Sequence, residues 1–247
     1  MRPNGITFCI ESHAVWAAGL ESAAKWEAWC DSPFPLEQFP YSDPSVSAMP
    51  AMLRRRAGTL GKMALEVAYA CLDGRANVDT VFCSRHGDVA RSLALLEDLV
   101  RGEPLSPTGF GMAVHNANAG LLSIARQDRA QHIALAGAAA TLEHGLVEAC
   151  GLIAYGAPRV LVVMADCPLP GLLRPFDDSP THQYALGLMV APASSPMHIE
   201  LAWEPDAAGG EGGEAVPELH AMRFLAGASA SHERVAGGTR WRWSRHA

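Results

Sequence analysis

SPTGFGMAVHNANAGLLSIARQDRAQHIALAGAAATLEHGLVEACGLIAYGAPRVLVVMAD, residues 106–166, decides the fold. Within it, His132 to Gly137 reads as a buried strand that turns without a gap into a helix ending near Gly156. A further apolar strand follows from Arg159 to Asp166. Tight strand-to-helix turns of this kind are where α/β enzymes expose a nucleophile. Here the turn is Gly137-Ala138-Ala139-Ala140-Thr141, with no thiol, imidazole or carboxylate. The chain has the architecture of a nucleophile turn and lacks the nucleophile.

Working outward, the same alternation continues on both sides. Ile6 to Ser12 is a β-rich first strand, and Glu21 to Trp29 a short helix that puts Trp26 and Trp29 on one face. Cys30 to Pro50 is a Pro- and Ser-rich loop. Met52 to Leu72 is a helix with an apolar stripe through Leu53, Ala57, Leu60, Ala64, Val67, Ala68 and Cys71. It opens on Arg54-Arg55-Arg56, which the helix dipole disfavours at that end and which therefore points outside the helix. Val78 to Ser84 is the second strand, followed by an Arg85-His86-Gly87-Asp88 turn and a helix from Val89 to Arg101 that turns Leu93, Leu96 and Val100 inward. A helix of small residues, Phe110 to Arg126, precedes the decisive strand, and Gln183 to Ala193 is a fifth strand after a loop from Pro168 to Pro180. Strands linked by repeated crossovers imply an α/β fold: five strands, mostly parallel, with helices on both faces. Residues 5–193 form the core of a single domain spanning 1–247. Residues 194–247 add a small C-terminal extension: an edge strand at His198–Trp203, a flexible turn at Gly209–Gly213, a helix at Pro217–Leu225 and a last strand at Arg240–Ser244.

Composition narrows the function classes. A chain of 247 residues with a formal charge of -7 gives a nucleic-acid partner little electrostatic support. An acidic partner protein would need a local basic patch, which only Arg54–Arg56 and the Arg-Trp tail at 240–245 offer. No basic segment followed by an apolar run marks the N-terminus, and no apolar run is long enough to span a bilayer, so a cytoplasmic protein is expected. Six cysteines without CxxC spacing suggest reduced thiols rather than a disulfide framework or zinc site.

Few residues remain for chemistry. Cys83 ends a strand beside Arg85 and His86, a setting that lowers a thiol pKa, although a packed strand cysteine is the preferred reading. Cys150 lies in an apolar stripe and belongs to the core. Cys167 and His182 flank one loop, but nothing supplies an orienting third group. Cys9 and His13 are too far apart along a strand to share an ion alone, and no metal site is expected. No dinucleotide fingerprint or P-loop is present, so no cofactor is expected. His115 and Asn116, inside the small-residue helix, would need buried partners; Asn116 is read as a cap or cross-link of core loops.

The order SP-x-x-F, V-x-N, AG-x-x-SIA, then strand, nucleophile turn, a helix ending in AYG and a VLVV strand resembles β-ketoacyl synthases of the thiolase fold. ITFCIES, LRRRAGTLGKMALEVAYA, SRHGD and the HGLVEA helix are similar, more narrowly, to a short ketosynthase-like family, the chain length factors of type II polyketide systems that make aryl polyene and xanthomonadin-like pigments. The resemblance covers most of residues 5–193 and is most specific over 84–126. It implies a ketosynthase N-terminal half, with the nucleophile position occupied by Ala139, within two residues. The two histidine motifs that condensation needs, H-G-T-x-T and N-x-x-F-G-G, are missing. What the resemblance implies is a non-catalytic subunit that pairs with a ketosynthase through residues 106–137 and meets acyl carrier protein through that complex. Thr108, Phe110, Met112 and Val114 would line the acyl tunnel, and His115, Asn116, Arg85 and His86 would lie at the interface. Two alternatives stay open: an independent thiolase-like acyltransferase using Cys83 or Cys167, and a homodimeric scaffold binding acyl chains or carrier protein.

Overall fold

The computed structural model describes residues 4–177, 182–193, 197–206, 216–227 and 229–246. Its strands are β1 (Asn4–Ala17), β2 (Asp79–Cys83), β3 (His132–Leu135), β4 (Val160–Asp166), β5 (Tyr184–Pro192), β6 (His198–Pro205), β7 (Ser231–Ala236) and β8 (Thr239–His246). Its helices are α1 (Ala23–Asp31), α2 (Ala51–Arg54), α3 (Thr59–Leu72), α4 (Val89–Arg101), α5 (Pro107–Gly111), α6 (Ala117–Arg126), α7 (Thr141–Ala154) and α8 (Pro217–Ala226). The Gly209–Gly213 turn and the end of the Pro168–Pro180 loop lie outside the described residues.

The strands form a single sheet in the order β3-β2-β4-β5-β1-β6-β8-β7. The α/β class expected from the sequence holds, but the sheet has eight strands rather than five and is not mostly parallel. Only β3, β2 and β4 run parallel; every other neighbouring pair is antiparallel. A parallel neighbour needs a crossover, usually a helix. Among its described residues the β4–β5 connection carries only a short 3₁₀ turn at Gly171–Phe176, and β5 returns antiparallel. The C-terminal strands extend the same sheet, and β7 and β8 are joined by Gly237-Gly238, both at positive φ, a hairpin turn that glycine alone makes without strain.

The core lies on both faces of this sheet. Strand β4 is buried throughout. Val160, Val162 and Met164 pack with α7 and α8, while Leu161, Val163 and Ala165 pack with α3 and α6. The alternation follows from the two-residue period of a strand covered on each side. Two glycines let the helices sit close. A Cβ on Gly187 would lie 2.8 Å from Cys71 Sγ, where α3 crosses β5, and one on Gly145 would lie 2.5 Å from Cys83 Sγ, where α7 crosses β2.

Three sequence expectations change. The Met52–Leu72 helix is broken: α2 ends at Arg54 and α3 starts after Gly58, so the arginines follow a short helix instead of opening a long one, and the dipole conflict disappears. The Phe110–Arg126 helix is likewise two helices, separated by a turn over 112–116 that holds His115 and Asn116. Helix α4 does not turn its apolar stripe inward: Leu96, Leu99 and Val100 are exposed, Val100 by 88%. Its stripe finds no sheet to cover, because α3 and α6 already occupy that face.

Candidate functional site

The parallel strands end together, bringing Ser84–Asp88, Gly137–Thr141 and Asp166–Cys167 to one edge of the sheet. The connections from β2 and β3 leave by opposite faces, and the crevice between such strands is where α/β sheets bind ligands. The turn after β3 has the shape of a nucleophile elbow. Gly137 leaves the extended strand conformation at φ -133 and ψ 33, and Ala138 sits in the left-handed region at φ 49. That conformation costs an alanine about 1 kcal/mol. The strained residue is Ala138, one before the position inferred as Ala139. Both residues carry only a methyl side chain.

The carbonyl of each of the three elbow alanines meets a side-chain donor. The Thr141 hydroxyl donates to Ala138 O at 2.7 Å, while its oxygen accepts from the Gly137 N–H at 3.0 Å. His144 Nδ1 lies 2.8 Å from Ala140 O. Since a carbonyl only accepts, the Nδ1 position carries the proton in this contact. The guanidinium of Arg234, on β7, donates to Ala139 O. Arg234 is itself buried between two carboxylates, with Nε 2.9 Å from Glu143 and Nη1 3.2 Å from Glu218. Two carboxylates share one guanidinium in a dry site. Burial pushes the Glu143 carboxyl up to about 7 against the attraction of Arg234, with Glu218 repelling it further. Tyr184, fully buried beside them, is held well above its ordinary value by desolvation and by Glu218 and Asp166. Sequence reading did not single out this cluster. Its one signal is an isolated carboxylate, Glu143, on a helix face otherwise facing the core.

Asp166, at the end of β4, organises the neighbouring turn. Its Oδ1 accepts from the Ser84 hydroxyl at 2.8 Å and from the Arg85 N–H at 2.9 Å. Burial raises its carboxyl to about 7, only partly offset by the Ser84 hydrogen bond. Ser84 Oγ in turn accepts from the Gly87 N–H at 2.9 Å, and Asp88 caps α4 by accepting from the Arg91 N–H at 3.2 Å. His115 lies against the same turn, its Nε2 3.2 Å from Leu135 O. The structure thus brings Arg85, His86 and His115 to the carboxyl ends of β2 and β3. Asn116 does not cross-link the core; it is exposed and starts α6 without a side-chain cap. Of the tunnel candidates, Thr108, Phe110 and Val114 are exposed, while Met112 is half-buried against the α3 side of the core. Leu96, Leu99, Val100, Leu105, Phe110 and Val114 are large apolar side chains exposed within one stretch of chain, far more than scattered surface hydrophobes.

The thiols of Cys83, Cys150 and Cys167 are all raised, not activated. Cys83 is 3% exposed, and the charges that act on it are the carboxylates of Asp166 and Glu148, not Arg85 or His86. Burial and those carboxylates push its thiol far up, the reverse of the expected activation. Cys167 is raised to about 12 by burial, then by Asp166, Asp88 and Asp43. Cys150 is raised to about 12 by burial alone. No group of three or more metal-ligating side chains able to hold an ion occurs among the described residues, and no described helix is long and apolar enough to cross a membrane.

Comparison with known proteins gives the fold a family. Residues 26–244 match the family model described as β-ketoacyl synthase, N-terminal domain. No curated protein matches the chain. Among solved structures, the ketosynthase ApeO in complex with its chain length factor ApeC from Xenorhabdus doucetiae is similar at a TM-score of 0.86 and 25% identity, over 97% of this chain and 100% of that one. The ishigamide ketosynthase/chain length factor gives 0.64 at 13% identity, over 82% and 68% of the two chains. A type II polyketide acyl-carrier protein in complex with its ketosynthase bound to the hexaketide, AntDE:AntF, gives 0.68 at 11% identity, over 100% of both. The last two likenesses speak for the fold alone. With the family model covering most of its length, the chain belongs to the β-ketoacyl synthase N-terminal domain family, of thiolase-like fold.

Proposed function

We propose that this chain is a non-catalytic chain length factor, the partner of a β-ketoacyl synthase in a type II polyketide pathway of the aryl polyene or xanthomonadin-like kind. The observation that carries the reading is the elbow, which keeps the left-handed turn of a nucleophile site and presents a methyl group there. Two further features support it. The apolar side chains exposed between Leu96 and Val114 need a partner to cover them. The chain beyond them meets β3, an edge strand of the sheet, through His115 against the Leu135 carbonyl. In this reading the ketosynthase covers that face, Arg85, His86, His115 and Asn116 lie at the interface, and Thr108, Phe110, Met112 and Val114 line the end of the acyl tunnel. Acyl carrier protein is met through the complex. An independent acyltransferase using Cys83 or Cys167 is disfavoured by the raised pKa of both thiols, Cys83 being buried and Cys167 half-buried beside acidic side chains.

Co-expression with the ketosynthase encoded nearest to it, followed by size-exclusion chromatography and mass measurement, tests the pairing. A one-to-one complex, with this chain aggregated on its own, is the expected result. A stable homodimer that ignores the synthase would replace this reading with the scaffold alternative. Phe110→Ala is expected to lengthen the products of the reconstituted pair without changing its assembly, since a bulky wall residue excludes added methylenes at about 1–3 kcal/mol through overpacking. Unchanged product lengths would remove Phe110 from the tunnel.

A further inference from the structure

The carbonyls of Ala138 and Ala140 are satisfied locally, by Thr141 and His144 on α7, but the carbonyl of Ala139 between them is satisfied from β7 near the other end of the chain. We propose that Arg234 is a positioning residue: through the Ala139 carbonyl, the C-terminal strands hold the blank elbow in its left-handed turn and so set the shape of the wall it presents at the ends of β2 and β3. This deepens the non-catalytic partner reading and rests on it where product length is concerned.

The arrangement is specific in three respects. First, β7 is at the far edge of the sheet from β3, so Arg234 reaches the elbow only because the C-terminal half of the sheet folds back over α7. Trp241 of β8 confirms this approach, with its ring 5.4 Å from that of His144. Second, the guanidinium is aimed by both sides. Glu143 comes from α7 and Glu218 from α8, and both side chains are nearly inaccessible, so the fork cannot swing to solvent. Third, an elbow with no nucleophile has no chemical need of a left-handed alanine, yet Ala138 keeps that strain. Strain persists only where the surroundings over-determine it. A buried charged trio is no better for stability than a well-packed apolar one. It does fix a direction, because the planar guanidinium offers hydrogen bonds to Glu143, Glu218 and the carbonyl at once.

Arg234→Lys is the discriminating variant. It keeps a positive charge between Glu143 and Glu218, but an ammonium lacks the fork that serves both carboxylates and the carbonyl. Arg234→Met removes all three contacts. Amide hydrogen exchange, read by mass spectrometry on the full chain alone or with its synthase, is expected to rise at least tenfold over residues 137–141 in Arg234→Lys, with α3 unchanged. The reconstituted pair is then expected to assemble normally and to shift its product-length distribution. Wild-type exchange at the elbow in a folded Arg234→Lys protein would overturn the proposal, whatever Arg234→Met does. An elbow that loosens with product lengths unchanged would confine Arg234 to the fold and overturn its role in shaping the wall. If the wild-type chain forms no complex, the partner reading fails, and the exchange measurement still decides whether Arg234 holds the elbow.

Discussion

Replacing Glu143 by Gln changes a single atom in the buried cluster and should change the way stability depends on pH. In the fold, Glu143 holds its proton up to about 7, against an ordinary value of 4.5. Between those limits the folded chain keeps a proton that the unfolded chain has released. Stability from this group is therefore full below pH 4.5, falls as pH climbs, and is flat above about 7. The whole effect is about 3 kcal/mol for a carboxyl acting alone. The amide of Gln imitates the protonated acid, so it removes the penalty. Arg234 retains Glu218, and Asp166 and Tyr184 are unchanged. The assay is urea unfolding of wild type and Glu143→Gln at several pH values from 4.5 to 8. The two proteins should be nearly equal at the acid end, and the variant should gain on wild type by up to about 3 kcal/mol at the alkaline end. His13 and His182, whose pKa values burial lowers, tilt stability the opposite way, but equally in both proteins. The difference curve is thus the measurement that counts. A difference that stays constant with pH, or moves in favour of wild type, would refute the raised Glu143 carboxyl.

Other consequences are open to direct test. Gly145→Ala places a Cβ 2.5 Å from Cys83 Sγ, so α7 must lift from β2; a loss of about 1–3 kcal/mol in urea unfolding is expected. With its thiol at about 12, Cys167 is thiolate in roughly one molecule in ten thousand at pH 8, so iodoacetamide should leave Cys83 and Cys167 of the native protein unlabelled for hours, as read by peptide mass mapping. Leu99→Asp should leave the fold unchanged, because Leu99 is exposed on α4, while abolishing co-purification with the synthase.

Much of this architecture was legible in the sequence because its signals are local. The fully apolar run from Val160 to Asp166, the alternation of strand and helix around it, and the blank turn at Gly137–Thr141 each follow from periodicity or residue type within a few positions. What was missed depends on distant parts of the chain. The sense of β5 and β1 is set by which neighbours they find, and β7 was not read at all because its one mate, β8, defines it. Helix α4 carries the stripe of a buried helix, yet the chain alone gives it nothing to bury against, and periodicity cannot tell a core from an interface. The same holds for Glu143, Glu218 and Arg234, three unremarkable residues in three separate segments whose meeting depends on the way the sheet folds back.

The place of β1 in the sheet also bears on how the protein is made. Strand β1 is made before both of its mates and lies fifth in the sheet, with Phe8 paired to Pro192 on one side and Ile199 on the other. Neither mate exists until most of the chain has been synthesised, and Arg234 comes later still. The growing polypeptide must therefore hold an apolar strand unpaired while α3, β2 and β4 gather around the place it will fill. Such long-range closure is slow and exposed to aggregation. Synthesis slow enough for chaperones to shelter the early segment, with the partner already at hand, is the condition under which this chain should be recovered intact.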